Sequence, residues 1–365
     1  MSALADDWRA DLDDADAALI DGFQSGFPIE ERPFRAVGTA IEVSEAEALS
    51  RVERLRDRGV FRRFGAVLNP PVIGSSTLAA VRAPEDEERF DAVADVINGY
   101  RQVNHNYRRD HAWNMWFVVT AGSLAVRDRI LDEIEERTGC EVLNLPMHTD
   151  YYIDLEFPVV NDDRFARESG GTGADADADA ASAPADAPGE AGSVDPTRIS
   201  ERATADLSDF DRRLLLAIQD GLPLSATPYA DVAERIGAAT TDVTGGVRRL
   251  LAENCVKRVG CVVNHVVTGF DANCMVVWDV PDDRLDERGT AVGDLPCVTL
   301  CYHRPRRPEQ GWRYNLFTMI HGRDPAAVDE KIDELAADHL PFAHERLYST
   351  GTLKQTGARY EDIVD

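Results

Sequence analysis

The chain repeats itself. Moving the sequence along itself by 195 positions lays Pro28 on Pro223, Pro33-Phe34 on Pro228-Tyr229 and Ile41 on Ile236. The same shift takes Val52 to Val247, Leu55 to Leu250, Arg63 to Arg258, Gly65 to Gly260, Asn69 to Asn264 and Gly74 to Gly269. That many matches in one ungapped register mean duplication of a whole unit. Two copies are too few for a solenoid, so the expected architecture is a pseudo-twofold pair within one chain. Association of two such chains into a further homodimer stays open.

The copies are separated by GGTGADADADAASAPADAPGEAGS, part of an acidic stretch over residues 161–205. It has almost no large apolar side chain with which to offset the entropy of ordering, so it reads as a flexible linker. Each copy opens with a helical part. Ser208 caps a segment that puts Phe210, Leu214 and Ile218 on one face before Gly221 stops it. A second helix is expected over 229–236, and a third has Val243, Val247 and Leu250 on its inner face. In the first copy Ser44 and Glu47 form a capping box, and Leu49, Val52 and Leu55 lead to Gly59. Three short helices in this order read as a helix-turn-helix, with strands at 60–65 and 256–260 as its wing.

Apolar strand-like runs and helices then alternate. In the first copy strands are expected at 77–81, 114–120 and 141–145, with helices at 90–97 and 124–136. The second copy repeats them with 274–280, 314–320 and a helix at 325–336. This is the βαββαβ ferredoxin-like pattern. The fold class is therefore α+β, with helix-turn-helix domains at 1–75 and 206–270 and ferredoxin-like domains at 76–160 and 271–365.

The net charge is −27, and only Lys257, Lys331 and Lys354 among the basic residues are lysine. Such an acidic, arginine-rich surface suggests adaptation to high salt and repels nucleic acid. The first helical part alone, Asp6 to Phe64, carries 14 acidic against 9 basic residues, a net of −5. The acidic N-terminus is unlike a signal peptide, and no apolar run approaches a membrane span, so a cytoplasmic location is expected. Six cysteines without a C-x-x-C pair read as buried thiols.

A winged helix followed by a ferredoxin-like domain resembles the Lrp/AsnC regulators, and the first copy reads S-x-x-x-x-L-x-x-V-x-x-L-x-x-x-G-V. Two other segments resemble siroheme decarboxylases. His105-Asn106-Tyr107-Arg108-Arg109-Asp110-His111 through Trp113-Asn114-Met115-Trp116-Phe117 is similar to H-N-Y-x-R-x-H-x-x-N-x-W-F of one subunit of that family. Cys301-Tyr302-His303-Arg304-Pro305, with Tyr314-Asn315-Leu316-Phe317 through His321-Gly322, is similar to C-Y-x-R-P and Y-N-L-F-x-M-I-H-G of its partner. His303 departs from that pattern, where an acidic residue is expected. The resemblance implies a fused pair of subunits, an Lrp/AsnC-like pseudo-dimer. It further implies removal of carboxyl groups from the C12 and C18 acetates of siroheme, towards haem or haem d1. No cofactor is implied, since the iron belongs to the substrate, and no metal site.

The residues suit that chemistry. A flat macrocycle ringed by carboxylates needs fixed cations, aromatic walls and a proton donor. Arg101, Arg108, Arg109, Arg304 and Arg313 supply guanidinium forks, which grip carboxylates in pairs. Asn114, Trp116, Tyr302, His303 and Asn315 complete the expected binding set. His105, Tyr107, His111 and His321 are the candidates for proton transfer. The 105–113 motif is expected as a loop held by the strand that begins at Asn114. A DNA-binding regulator and a haem sensor remain the competing functions.

Overall fold

The computed structural model describes residues 11–153, 197–198, 207–264, 267, 272–357 and 359–360. Most of the expected linker, and Gly269, lie outside them. The first copy runs α1 (Asp14–Gly22), α2 (Pro33–Ala40), α3 (Glu45–Asp57), β1 (Phe61–Leu68) and the single turn α4 (Pro70–Ile73). It continues as β2 (Ser75–Val81), α5 (Glu87–Asn98), β3 (Val103–Arg109), β4 (Met115–Ala121), α6 (Leu124–Thr138), β5 (Val142–Pro146) and β6 (Thr149–Ile153). After the two-residue β7 (Thr197–Arg198), the second copy begins with α7 (Asp209–Ile218), α8 (Pro228–Ile236), α9 (Thr240–Ala252) and β8 (Val256–Val263). It ends with β9 (Ala272–Trp278), α10 (Leu285–Gly293), β10 (Leu300–His303), β11 (Leu316–Gly322), α11 (Pro325–Asp338) and β12 (His344–Gln355).

The helical parts of the two copies share one core, in which Phe34, Val52 and Leu55 pack in a cluster with Leu214, Tyr229 and Val247. Each three-helix unit is pinned by the same ion pair. Arg54 donates to Asp16 at 2.6 Å, and 195 positions on Arg249 donates to Asp211. Ser44 caps α3 as expected, but the reciprocal half of the box is not made, because Glu47 pairs with Arg51 at 2.9 Å instead.

The wing differs from expectation. Strand β1 does not fold back within its own copy; it pairs antiparallel with β8 of the other, Gly65 opposite Gly260. Asn69 N–H donates to Cys255 O and Asn264 N–H to Val60 O, closing the ribbon at both ends. Gly65 has φ +142°, and a Cβ there would lie 2.6 Å from Leu222 N. Duplicated apolar strands found a better partner in their twin than in a short hairpin.

The ferredoxin-like parts form one ten-stranded sheet in the order β5-β2-β4-β3-β12-β9-β11-β10-β6-β7. Each last strand crosses to the other copy. The first half of β12 pairs with β9 of its own copy and the second half with β3 of the first. In return β6 pairs with β10. Only residues 147 and 148 separate β5 from β6, a span of roughly 10 Å at most, so the sheet curls until its ends nearly meet. Helices α5 and α6 cover one part of the outer face and α10 and α11 the other. The inner face carries Trp113, Trp116, Leu143, Val277, Trp312, Phe317 and Leu347. Gly65→Ala is expected to cost about 1–3 kcal/mol, the scale of backbone strain at such a position, measurable as a lower midpoint in denaturant unfolding.

Candidate active site

The motif expected as a loop is strand β3. Its polar residues on both faces hide the strand period, but the pleat sorts them. Tyr107 lies opposite Trp116 of the inner cluster, so His105, Tyr107 and Arg109 face inwards. Asn106 and Arg108 face out, to Asn98 and Glu87 of α5. On β10 the same sorting turns Tyr302 and Arg304 inwards, where Tyr302 packs on the inner cluster.

Two tyrosine–arginine dyads result, related by the 195 shift. The Arg109 guanidinium lies 5.9 Å from the Tyr107 ring, and that of Arg304 lies 5.3 Å from Tyr302. Each arginine donates to a carbonyl of the opposite copy, Arg109 to Leu347 O at 2.5 Å and Arg304 to Leu145 O at 2.6 Å. Arg109 is buried; Arg304 keeps some exposure, yet its Nε, like that of Arg109, is shut from water without an acceptor. Burial pulls both guanidinium groups down to about 10, which leaves them charged at neutral pH. Among the described residues, neither is paired with a carboxylate.

His105 completes the first dyad. Its Nδ1 is 3.3 Å from the Tyr107 hydroxyl and the rings stack at 6.1 Å. Burial first, and then the charge of Arg62, holds its pKa down to about 4. Burial pushes Tyr107 up. An unliganded His105 is thus a neutral ring beside a neutral phenol. A bound carboxylate would raise the histidine again by favouring its charged form.

The other expected residues are placed elsewhere. His111 is engaged at both ring nitrogens, accepting from Trp113 N–H at 2.9 Å and lying 2.7 Å from Glu345. His321 is buried on β11 with Nδ1 2.7 Å from Thr299 Oγ1. Asn114 brackets Ala83 with two backbone hydrogen bonds, and Asn315 does the same to Val280. Both are structural clamps. Trp116 is core, its Nε1–H donating to Trp113 O at 2.6 Å. Arg108 pairs with Glu87 at 2.8 Å, Arg313 with Asp279, and Arg101 is exposed on the turn before β3.

His303 faces outwards into a cavity of about 450 Å³ that also contains His148, Asp282, Asp286 and Arg306. The two histidine rings meet edge-on at 5.0 Å. Arg306 is already held by Asp279 and Asp282. With Asp282 and Asp286 on its wall and its arginine already paired, this cavity is a poor receptor for a polycarboxylate. The dyads on the inner face are the better site.

Comparison with known proteins shows the family. A profile described as "Siroheme decarboxylase NirDL-like HTH domain" matches residues 16–62 and 211–256, and one described as "AsnC-like ligand binding domain" matches 73–151 and 267–354. The siroheme decarboxylase NirDL subunit of Paracoccus denitrificans (strain Pd 1222) is 35% identical over 97% of this chain and 99% of its own. The chain belongs to the siroheme decarboxylase family. Another siroheme decarboxylase, the NirD subunit of Pseudomonas aeruginosa, is 46% identical over 40% of this chain and 97% of its own length. The fold matches a crystal structure of the siroheme decarboxylase NirDL in co-complex with an iron-uroporphyrin III analogue. The TM-score is 0.66, over 96% of this chain and 95% of that one at 20% identity.

Sequence reasoning missed Arg62, Lys257, Asp150 and His148. A signal existed for the first two, since the 195 shift superposes them as basic residues on equivalent strands.

No helix among the described residues is long and apolar enough to cross a membrane. The cysteines are free thiols, and Cys255, Cys261, Cys274 and Cys301 are buried. The histidines set a pH dependence. His105 and His303 are both held down to about 4 in the folded chain, against about 6.5 when unfolded. The unfolded chain therefore binds protons first, and stability falls as pH drops from about 6.5 towards 4. Denaturant titrations at pH 7.5, 6 and 5 should show this loss, with a shallower slope in His105→Gln.

Proposed function

We propose that the chain is a carboxy-lyase that binds siroheme and removes carboxyl groups from its C12 and C18 acetate side chains. One observation carries the reading. Arg109 and Arg304 hold buried charge for which no acid among the described residues compensates. Burying an unpaired charge is costly, and an anionic ligand would relieve that cost twice over. Arg63 and Arg258 also donate to carbonyls of the opposite copy, at Gln219 and Gln24. They belong to the ribbon, however, and Arg63 feels Asp220, whereas no acid acts on the dyad arginines.

In the reaction the bond between methylene and carboxyl carbon breaks and CO₂ leaves. The electron pair stays on the methylene carbon, spreads into the macrocycle and is quenched by a proton, leaving a methyl group. The arginines serve this best by gripping carboxylates that remain, since binding the departing group in its ground state would oppose the reaction. His105 is the favoured donor. In the protonated ring Nδ1–H donates to the Tyr107 hydroxyl, which leaves the Nε2 proton to be delivered and the ring neutral afterwards. His111 is less suited, with both nitrogens engaged. No cofactor is proposed beyond the substrate's own iron.

A DNA-binding role has less support. Arg51, Arg54 and Arg56 of α3 all pair with acids, so this helix has few cations to offer a phosphate backbone.

Anaerobic incubation with siroheme should give products lighter by one and two CO₂ in mass spectra; unchanged siroheme would sink the reading. Arg109→Ala and Arg304→Ala should each weaken siroheme binding by about 1.5–3 kcal/mol, with lysine only a partial replacement. His105→Ala should slow turnover by about 10²–10⁴ with binding nearly intact; a wild-type rate would remove His105 from the mechanism.

A further inference from the structure

The two dyads match, but the groups around them do not. We infer that Arg62, carried in by ribbon strand β1, is a further carboxylate-binding residue of the first half-site, while an ion pair between Lys257 and Asp150 fills the equivalent place in the second. The half-sites are then unequal, and the first holds one more acid group of the substrate. This rests on the siroheme reading above.

Register carries the argument. The 195 shift places Arg62 on Lys257. Lys257 Nζ lies 3.9 Å from Asp150, and Asp150 is the cross-strand partner of Tyr302. A ribbon side chain therefore reaches the residue paired with the tyrosine of the second dyad. In the first half-site the residue opposite Tyr107 on the crossing strand is Thr352. No acid stands there. Arg62 instead donates to the neutral amide of Asn264 at 3.1 Å, and among the described residues no carboxylate pairs with it.

Electrostatics agree. The Arg62 charge acts on both His105 and Tyr107. Arg62 is exposed as a whole, yet burial by neighbouring protein pulls its guanidinium below the usual value. Two guanidinium groups, Arg62 and Arg109, thus act on one tyrosine, and a carboxylate bound beside them would satisfy both. In the second half-site Lys257 is already matched, Asp150 would repel an incoming acid, and Leu300 stands in line with His105. Proton delivery and extra anion binding therefore coincide in the first copy alone.

The test uses the full chain, titrated anaerobically with siroheme and separately with iron-uroporphyrin, read by absorbance. Arg62→Ala should weaken both ligands roughly tenfold to a hundredfold, the scale of one charge-assisted bond, and Arg62→Lys should recover part of it. Thr352→Asp, which copies the second half-site's acid into the first, should weaken binding similarly without touching Arg62. Asp150→Asn should bind as tightly as the parent or more tightly. Parent-like binding in both Arg62→Ala and Thr352→Asp would overturn the inference, as would an Asp150→Asn loss equal to that of Arg62→Ala. If the parent leaves siroheme chemically unchanged, the decarboxylase reading fails, while the iron-uroporphyrin titrations still judge Arg62.

Discussion

A buried guanidinium needs acceptors, and among the described residues those of Arg109 and Arg304 find theirs across the pseudo-twofold, on Leu347 and Leu145. The crossing of each last strand makes this possible. It closes the edge strands β3 and β10, which would otherwise present unpaired backbone groups, and it carries the carbonyls that hold the arginines in place. Neither repeat could build its half of the site alone. The same crossing sets Thr352 against Tyr107 and Asp150 against Tyr302, so the exchange of strands also decides the charge next to each dyad.

The helical layer is organised on the same terms. Each ribbon strand finds its pairing in the other copy, and the glycines at its centre let the loops before the second helices approach the backbone closely. In an AsnC-like regulator such a layer would face nucleic acid. Here the basic residues of α3 pair with Asp13, Asp16, Glu47 and Asp57, and the ribbon turns Lys257 towards the sheet.

Much of this was legible beforehand. The duplication and the correspondence of Tyr107 with Tyr302 follow from one shift in register, and the α+β fold class from the spacing of apolar residues. Of the matched residues, Gly65 and Gly260 proved to be the centre of the ribbon and Asn69 and Asn264 its ends. What stayed hidden depended on which face a side chain took. Arg108 and Arg109 are neighbours of identical chemistry, and only the pleat sends one to Glu87 and the other inwards. Reading the motif as a loop erased that distinction. Asp150 was invisible because its meeting with Lys257 requires a strand to cross between copies. Asn114 and Asn315 resembled ligands but bracket a backbone segment, a role that sequence alone does not separate from binding.

The six-residue insertion between Arg304 and Asn315 has a consequence of its own. It forms a small turn closed by Arg307 and Trp312, sends Gln310 back to Arg82 and Glu141 of the first copy, and wedges Trp312 against Trp116. In an assembly of identical subunits any such addition appears twice, and two wedges would compete for one interior. A tandem chain escapes that symmetry, because each residue is encoded for one place only. Fusion therefore lets one repeat become a brace while its sibling is free to diverge in another direction, a division of labour that no homodimer can inherit.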